Sequence, residues 1–149
     1  MKNVSAVLIA MFFVVLSAGL FAAEKDAAGC KDNPLIPRIK DYYIVGCNSS
    51  PATFDFDGAN GASVHVEGKS TALLYRPQPE LKAKPTEAQL RSEFENAVKK
   101  QGGAQVGTTP GQKWSVYKIV KDGKQYWIVL MIDSGEYFTG SYAYRIVEK

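Results

Sequence analysis

The last third of the chain alternates between apolar runs and short turns, as antiparallel strands do. The runs cover residues 104–108, 114–121, 124–132 and 137–147. They are rich in β-branched and aromatic residues, which favour strands. Asp122 and Gly123 separate two of the runs, and this dipeptide is a strong signal for a type I′ hairpin. We therefore predict consecutive strands here.

The middle of the chain carries shorter β-rich runs. They predict a strand at 42–47, a turn at 48–51, a strand at 53–57, and a hairpin formed by 62–67 and 71–75. Alternation in the second strand places Phe54 and Phe56 on its inner face. The turn of the hairpin is predicted at Gly68-Lys69, because glycine marks turns.

One amphipathic helix is predicted to begin after Thr86. Thr86 and Gln89 have the spacing of a capping box. Leu90, Phe94 and Val98 recur at helical spacing on one face. Such a face needs an apolar partner, and the sheet is the only candidate. The sequence thus predicts an α+β fold in which one helix packs on an antiparallel sheet.

Residues 1–23 differ in composition from the rest of the chain. Lys2 is the only charge before Glu24, a long apolar run follows it, and small residues end the segment at Ala22 and Ala23. This pattern is typical of a secretory signal peptide, and we place cleavage near those two alanines. The alternative is an uncleaved membrane anchor, because about 20 uncharged residues can span a bilayer.

The remaining chain divides into an irregular lead-in at 24–41 and a single α+β domain at 42–149, with no transmembrane span once the signal is removed. Pro34 and Pro37 oppose a helix in the lead-in. Loss of Lys2 leaves 17 of the 18 Lys and Arg residues against 15 Asp and Glu, a net charge of +2. The positive residues are scattered, which argues against a nucleic-acid partner.

Two cysteines, Cys30 and Cys47, follow the signal. An even pair in an exported chain suggests a disulfide, which would stabilise the fold by about 3 kcal/mol. The alternative is lipidation, because Ala27-Ala28-Gly29-Cys30 resembles the end of a bacterial lipobox. An acylated Cys30 sulfur cannot also bond to Cys47, so the two interpretations exclude each other.

Catalytic and metal-binding patterns are weak. His65 is the only histidine, and a zinc or iron site would lack ligands. We predict no metal, no cofactor and no catalytic residues. Asp55 and Asp57 are the best candidates for a carboxylate pair in a glycan hydrolase, although their strand face lies opposite Phe54 and Phe56.

Four aromatic residues form a candidate binding surface near the C-terminus: Tyr137, Phe138, Tyr142 and Tyr144. Exposed aromatic side chains can stack on sugars or contact a protein partner. The alternative is that they are cross-strand pairs covering a core.

Several segments together resemble the N-terminal domain of some OmpA-family bacterial envelope proteins. They are residues 30–38, 42–44, 66–69, 97–103, 121–127 and 146–149. Asn33 stands where that domain usually has His. The resemblance implies an envelope location and no assigned enzymatic activity. In those relatives a peptidoglycan-binding domain follows, and because this chain ends at Lys149 we do not transfer that activity.

The sequence therefore favours a non-enzymatic exported cell-envelope protein, periplasmic or associated with the outer membrane, with a recognition or structural role. Its partner would be an envelope protein or a glycan. One alternative is a hydrolase acting on cell-wall or glycan substrate. Another is a lipid-anchored assembly factor acylated at Cys30. The ligand and the oligomeric state stay open.

Export is expected to shorten the chain. Cleavage near Ala22 or Ala23 would leave an N-terminus there, which N-terminal sequencing of the protein from the envelope fraction measures. An intact Met1 would show that the apolar run is retained as an anchor.

Overall fold

The computed structural model describes residues 22–133 and 138–149, in which it contains six strands and one helix. They are β1 (Tyr42–Gly58), β2 (Ser63–Pro77), α1 (Glu87–Lys100), β3 (Ala104–Thr108), β4 (Ser115–Lys121), β5 (Lys124–Ile132) and β6 (Tyr142–Glu148). The predicted antiparallel sheet with one helix is confirmed, and this part of the chain is mostly β. The signal-peptide prediction falls on residues 1–21, outside the described residues, and on the two that follow them.

The six strands form one antiparallel sheet that closes on itself. Their order is β1-β2-β6-β5-β4-β3, and β1 returns to pair with β3. The closing contact, which we call the seam, is short: Asp57 pairs with Thr108, and Gly58 pairs with Gly107. Closure of the sheet therefore rests on these two residue pairs.

The seam depends on the absence of a side chain at residue 107. A Cβ atom there would collide with the carbonyl of Asp57 and would lie 2.8 Å from Cδ2 of Phe56. Glycine in a strand often marks such a close approach of another backbone. At Gly46, by contrast, a Cβ atom would meet nothing within 4 Å.

β1 and β2 are longer than predicted. They pair without an intervening turn from Tyr42 to Asp57 of β1, so the turn predicted at 48–51 and the hairpin turn predicted at Gly68-Lys69 are wrong. Residues 48–51 are polar, contain a proline and favour a turn locally. Their pairing with β2 keeps them extended, because tertiary contacts outweigh weak local preferences.

Gly68 has a packing role instead of a turn role. A Cβ atom at this position would collide with the carbonyl of Glu148 and lie 2.9 Å from Cγ1 of Val147. The β1–β2 turn lies earlier in the chain, where the Gly58 N–H donates to the Ala62 carbonyl at 2.9 Å.

A β-bulge in β1 moves its apolar side chains from one face of the sheet to the other. Its register with β2 shifts between Ile44 and Gly46. Before the bulge, Tyr42 and Ile44 pack on one face. After it, Phe54 and Phe56 pack on the opposite face, as the sequence predicted for an inner face.

Each face of the sheet carries a hydrophobic cluster. The inner cluster draws side chains from all six strands and none from α1, so it fills the closed sheet. Its buried members are Phe56, Val66, Val116, Val129 and Val147. The outer cluster lies between the sheet, α1 and the lead-in.

α1 lies on the outer face. The capping box predicted at its N-terminus is present, and its buried residues are Leu90, Phe94 and Val98. The Phe94 ring centroid lies 5.6 Å from that of Tyr117 and 5.4 Å from that of Tyr144. The predicted packing of the helix on the sheet is confirmed.

The later strands follow the sequence predictions closely. β3 and β5 have the predicted bounds, and β4 begins at Ser115, one residue after the predicted start. Asp122 and Gly123 have φ angles of 52° and 76°, as a type I′ turn requires. The final strand, predicted at 137–147, begins only at Tyr142.

The outer edge of β1 is largely unpaired ahead of the seam. Among the described strands, only β3 pairs with this edge, at Asp57 and Gly58. Pro51 lies in the edge, exposed and opposite Lys69 of β2. A proline has no N–H, so it interrupts the row of donors that an edge strand presents.

Replacement of Gly107 by alanine is expected to strain the seam. We expect Gly107→Ala to lower the free energy of unfolding by about 1–3 kcal/mol, the usual range for overpacking. Urea unfolding followed by tryptophan fluorescence measures the change. Gly46→Ala is the matched control, because it adds the same methyl group to a strand glycine in open space. Equal losses in the two variants would contradict a role for close approach at the seam.

Candidate functional site

The predicted disulfide is present. Cys30 and Cys47 are bonded, with their Cα atoms 5.7 Å apart. The bond joins the lead-in to β1. It also uses the Cys30 sulfur, which the lipidation alternative needs to be free.

An arginine on the lead-in makes a second connection to β1. The Arg38 guanidinium donates to both oxygens of Asp26, at 2.7 and 2.6 Å, and to both oxygens of Asp32, at 3.1 and 2.8 Å. Asp26 in turn accepts a 2.8 Å hydrogen bond from the Ile44 N–H of β1. Bidentate pairs of this kind fix orientation as well as distance.

Most of the aromatic residues proposed as a binding surface are buried or half-buried. Tyr142 and Tyr144 are buried, at 2% and 0% exposed. Phe138 is half-buried against the same outer cluster, and Tyr137 lies outside the described residues. Tyr142 and Tyr144 are therefore core residues beneath the lead-in, as the cross-strand alternative proposed.

The tyrosine hydroxyls bind the lead-in to the sheet. Tyr144 donates to the Ile36 carbonyl at 3.2 Å, and the Ile39 N–H donates to the Tyr142 hydroxyl at 3.1 Å. Burial raises the pKa of Tyr144 to about 12 and raises that of Tyr142 well above its ordinary value. These hydroxyls stay protonated at neutral pH and serve as structural hydrogen-bonding groups.

The carboxylates proposed for a hydrolase do not converge on a cleft. Asp55 lies directly opposite His65 on β2, and its Oδ1 is 2.7 Å from the His65 Nδ1. Both side chains are about 60% exposed. Asp57 lies at the seam. Asp55 and His65 therefore form an exposed cross-strand pair, in which the Asp55 carboxylate is open to solvent.

Metal-ligating residues do not cluster in the part of the chain that the structure describes. No three His, Cys, Asp or Glu side chains there lie close enough to hold a metal ion. The same residues contain no helix with the length and apolar character needed to cross a membrane.

A candidate site is an open depression at the end of β2, to which the described residues contribute both charged and apolar side chains. It encloses about 600 Å³. Its apolar side chains are Leu74, Pro77 and Pro79. Its polar side chains are Arg76, Gln78, Lys84, Asp133, Thr139 and Ser141. Four segments contribute: the end of β2, the connector to α1, the end of β5 and the start of β6.

A glycine just before β6 leaves room for the side chain of Lys84. Gly140 has a φ angle of 81°, and a Cβ atom there would lie 3.3 Å from Cδ of Lys84. The glycine therefore lets the Lys84 stem lie against the start of β6. On the floor of the depression, Thr139 donates to the buried Ser141 hydroxyl at 2.7 Å.

The depression offers more positive than negative charge. Arg76 and Lys84 are exposed and take part in none of the five ion pairs of the described chain. Arg145 adds a positive charge on the same face of the sheet. It follows Ala143 by two residues on β6, and Ala143 pairs with Leu74. Asp133 is the only carboxylate among the lining residues that the structure describes. Chemically, the site can hold an anionic group beside an apolar surface.

Sequence reasoning missed this site. From their composition alone, three prolines and little apolar content, residues 76–85 are predicted only to be a connector. Thr139 and Ser141 were placed inside a predicted strand. The only available signal is the presence of Arg76 and Lys84 on either side of Pro77 and Pro79.

Comparisons of the chain with protein-family models, with curated proteins and with solved structures found no match in any of the three. The resemblance to the OmpA-family N-terminal domain therefore stays a prediction from the sequence.

We call the hydrogen bonds of Arg38 to Asp26 and Asp32 the arginine clamp. The clamp should make the free energy of unfolding depend on pH in the acid range. The hydrogen bond from Arg38, helped by that from the Ile44 N–H, lowers the pKa of Asp26 below 3.8. The stabilisation is thus present above pH 3.8 and is lost as the pH falls through the lower, folded-state pKa. Asp26→Asn removes this contribution.

We expect the wild-type protein to lose more unfolding free energy than Asp26→Asn between about pH 7 and about pH 3, measured by urea unfolding at each pH. Glu80→Gln, at an exposed connector position, is the control and should follow the wild type. Parallel curves for the wild type and Asp26→Asn would contradict the role of the clamp.

Proposed function

We propose that this protein is an exported, non-enzymatic protein of the bacterial cell envelope, periplasmic or associated with the outer membrane, that recognises a partner through the open depression. The observation that carries the proposal is the depression itself. It brings two exposed cations and an apolar wall from four segments to one accessible place. Binding sites commonly combine such apolar surface with a few placed polar groups.

The compartment is supported by the disulfide and by the signal-like leader. Disulfides persist in oxidising compartments such as the bacterial periplasm and are rare in the cytosol. The Cys30–Cys47 bond also joins segments that the arginine clamp and the tyrosines hold together. The sequence resemblance to an envelope-protein domain agrees with the same location.

The two alternatives receive less support. A hydrolase needs converging carboxylates, and Asp55 is instead paired with His65 on an exposed face. A lipid anchor at Cys30 would require the bond to Cys47 to be absent. Either alternative would gain from an activity on glycans or from a fatty acyl group on the mature chain.

Photo-crosslinking in the source bacterium tests the recognition role. A crosslinking amino acid replaces Leu74 in the depression, or Val120 on β4 as the control; these are the exposed large hydrophobic residues of the described chain, at 39% and 61%. We expect a discrete crosslinked species in the envelope fraction from position 74 and none from position 120. The absence of crosslinks at both positions, or equal crosslinks at both, would contradict recognition by the depression.

A further inference from the structure

We propose that the ligand of the open depression is an acidic glycan whose sugars carry a carboxylate, of the uronic acid class. This inference rests on the proposed recognition role and names its ligand. Three features of the depression carry it: the two cations, the carboxylate of Asp133, and the apolar wall.

The cations provide the site for the carboxylate of the sugar. A guanidinium presents a rigid fork of donors that matches a carboxylate with two parallel hydrogen bonds. Arg76 is exposed at the end of β2, and Lys84 lines the same depression with its stem beside Gly140. Both side chains are exposed, and neither takes part in an ion pair within residues 22–133 and 138–149.

Asp133 distinguishes a uronic acid from a bare anion. Its carboxylate lines the same depression, with Oδ2 3.4 Å from the Thr139 hydroxyl. A phosphate dianion would be repelled by it. A sugar acid carries one negative charge and several hydroxyl groups, so its carboxylate can meet the cations while a hydroxyl donates to Asp133.

The apolar wall and the openness of the site favour a polymer. Leu74, Pro77 and Pro79 offer apolar surface on which the C–H face of a sugar ring can pack. Tyr43 pairs with Arg76 on the neighbouring strand and is half-buried. Small-molecule sites usually enclose most of their ligand, whereas Leu74 and the two cations here are open to solvent. A chain of sugars can cross such a site.

The test measures binding of an alginate hexasaccharide, a polymer of uronic acids, to the disulfide-bonded mature protein by calorimetric titration. Maltohexaose, which has the same length and no charge, and inorganic phosphate are the comparison ligands. We expect binding of the alginate hexasaccharide that weakens with added salt, with at least tenfold weaker binding of the other two. Binding of maltohexaose with equal affinity, binding of phosphate with equal affinity, or no binding of alginate would each overturn the proposal.

Variants locate the binding. Arg76→Gln and Lys84→Gln are each expected to weaken alginate binding by about tenfold or more, as for loss of a charged hydrogen bond. Lys69→Gln and Lys99→Gln remove the same charge from exposed positions elsewhere and should change the affinity by less than about twofold. Equal weakening by all four variants would show general charge attraction and overturn the assignment to the depression.

Asp133→Asn separates the sugar acid from a simple anion. It removes a negative charge, so phosphate is expected to bind more tightly, while alginate loses an acceptor for its hydroxyl and does not gain. Equal gains for both ligands would overturn the role of Asp133. If alginate fails to bind while position 74 still gives an envelope crosslink, the ligand class is wrong and the recognition role stands. If the crosslink is also absent, the recognition role fails as well.

Discussion

A buried tyrosine hydroxyl costs free energy unless it has a hydrogen-bond partner, and the lead-in supplies those partners on the outer face of the sheet. The carbonyl of Ile36 and the N–H of Ile39 meet the hydroxyls of Tyr144 and Tyr142. Each such bond contributes only about 1 kcal/mol net, yet leaving it unmade costs more. The lead-in is thereby part of the core although it has almost no regular secondary structure.

This constraint explains why the lead-in is held so firmly. The disulfide fixes it at Cys30, and the arginine clamp fixes Arg38 to a carboxylate that also binds β1. Inside the closed sheet, the opposite requirement applies. There, side chains must be absent at Gly68 and Gly107 so that neighbouring backbones can approach. On the outer face, the lead-in covers the sheet. Inside the sheet, two glycines allow neighbouring backbones to approach each other closely.

Local signals in the sequence predicted the elements whose causes are local. The capping box at Thr86, the Asp122-Gly123 turn and the bounds of β5 are all present. The lengths of β1 and β2 were not predictable in this way. Residues 48–51 favour a turn by composition, and only their pairing with a distant strand keeps them extended.

The functional regions show the same division. The cysteine pair could be predicted because compartment and number suggest it. For Tyr142 and Tyr144 the sequence leaves two interpretations, a binding surface or a core, because an alternating pattern shows which residues share a face and not what covers that face. The open depression was missed for a related reason: its residues come from four segments, and no motif connects them.

Pro51 has a consequence for how copies of this protein meet one another. A strand from a neighbouring molecule that tried to extend the sheet along β1 would find one missing donor in the middle of the edge. Growth of fibres by strand addition requires an uninterrupted edge. A single proline in a polar segment thus opposes strand addition along β1, and the turn-like composition that obscured this strand in the sequence contributes to that effect.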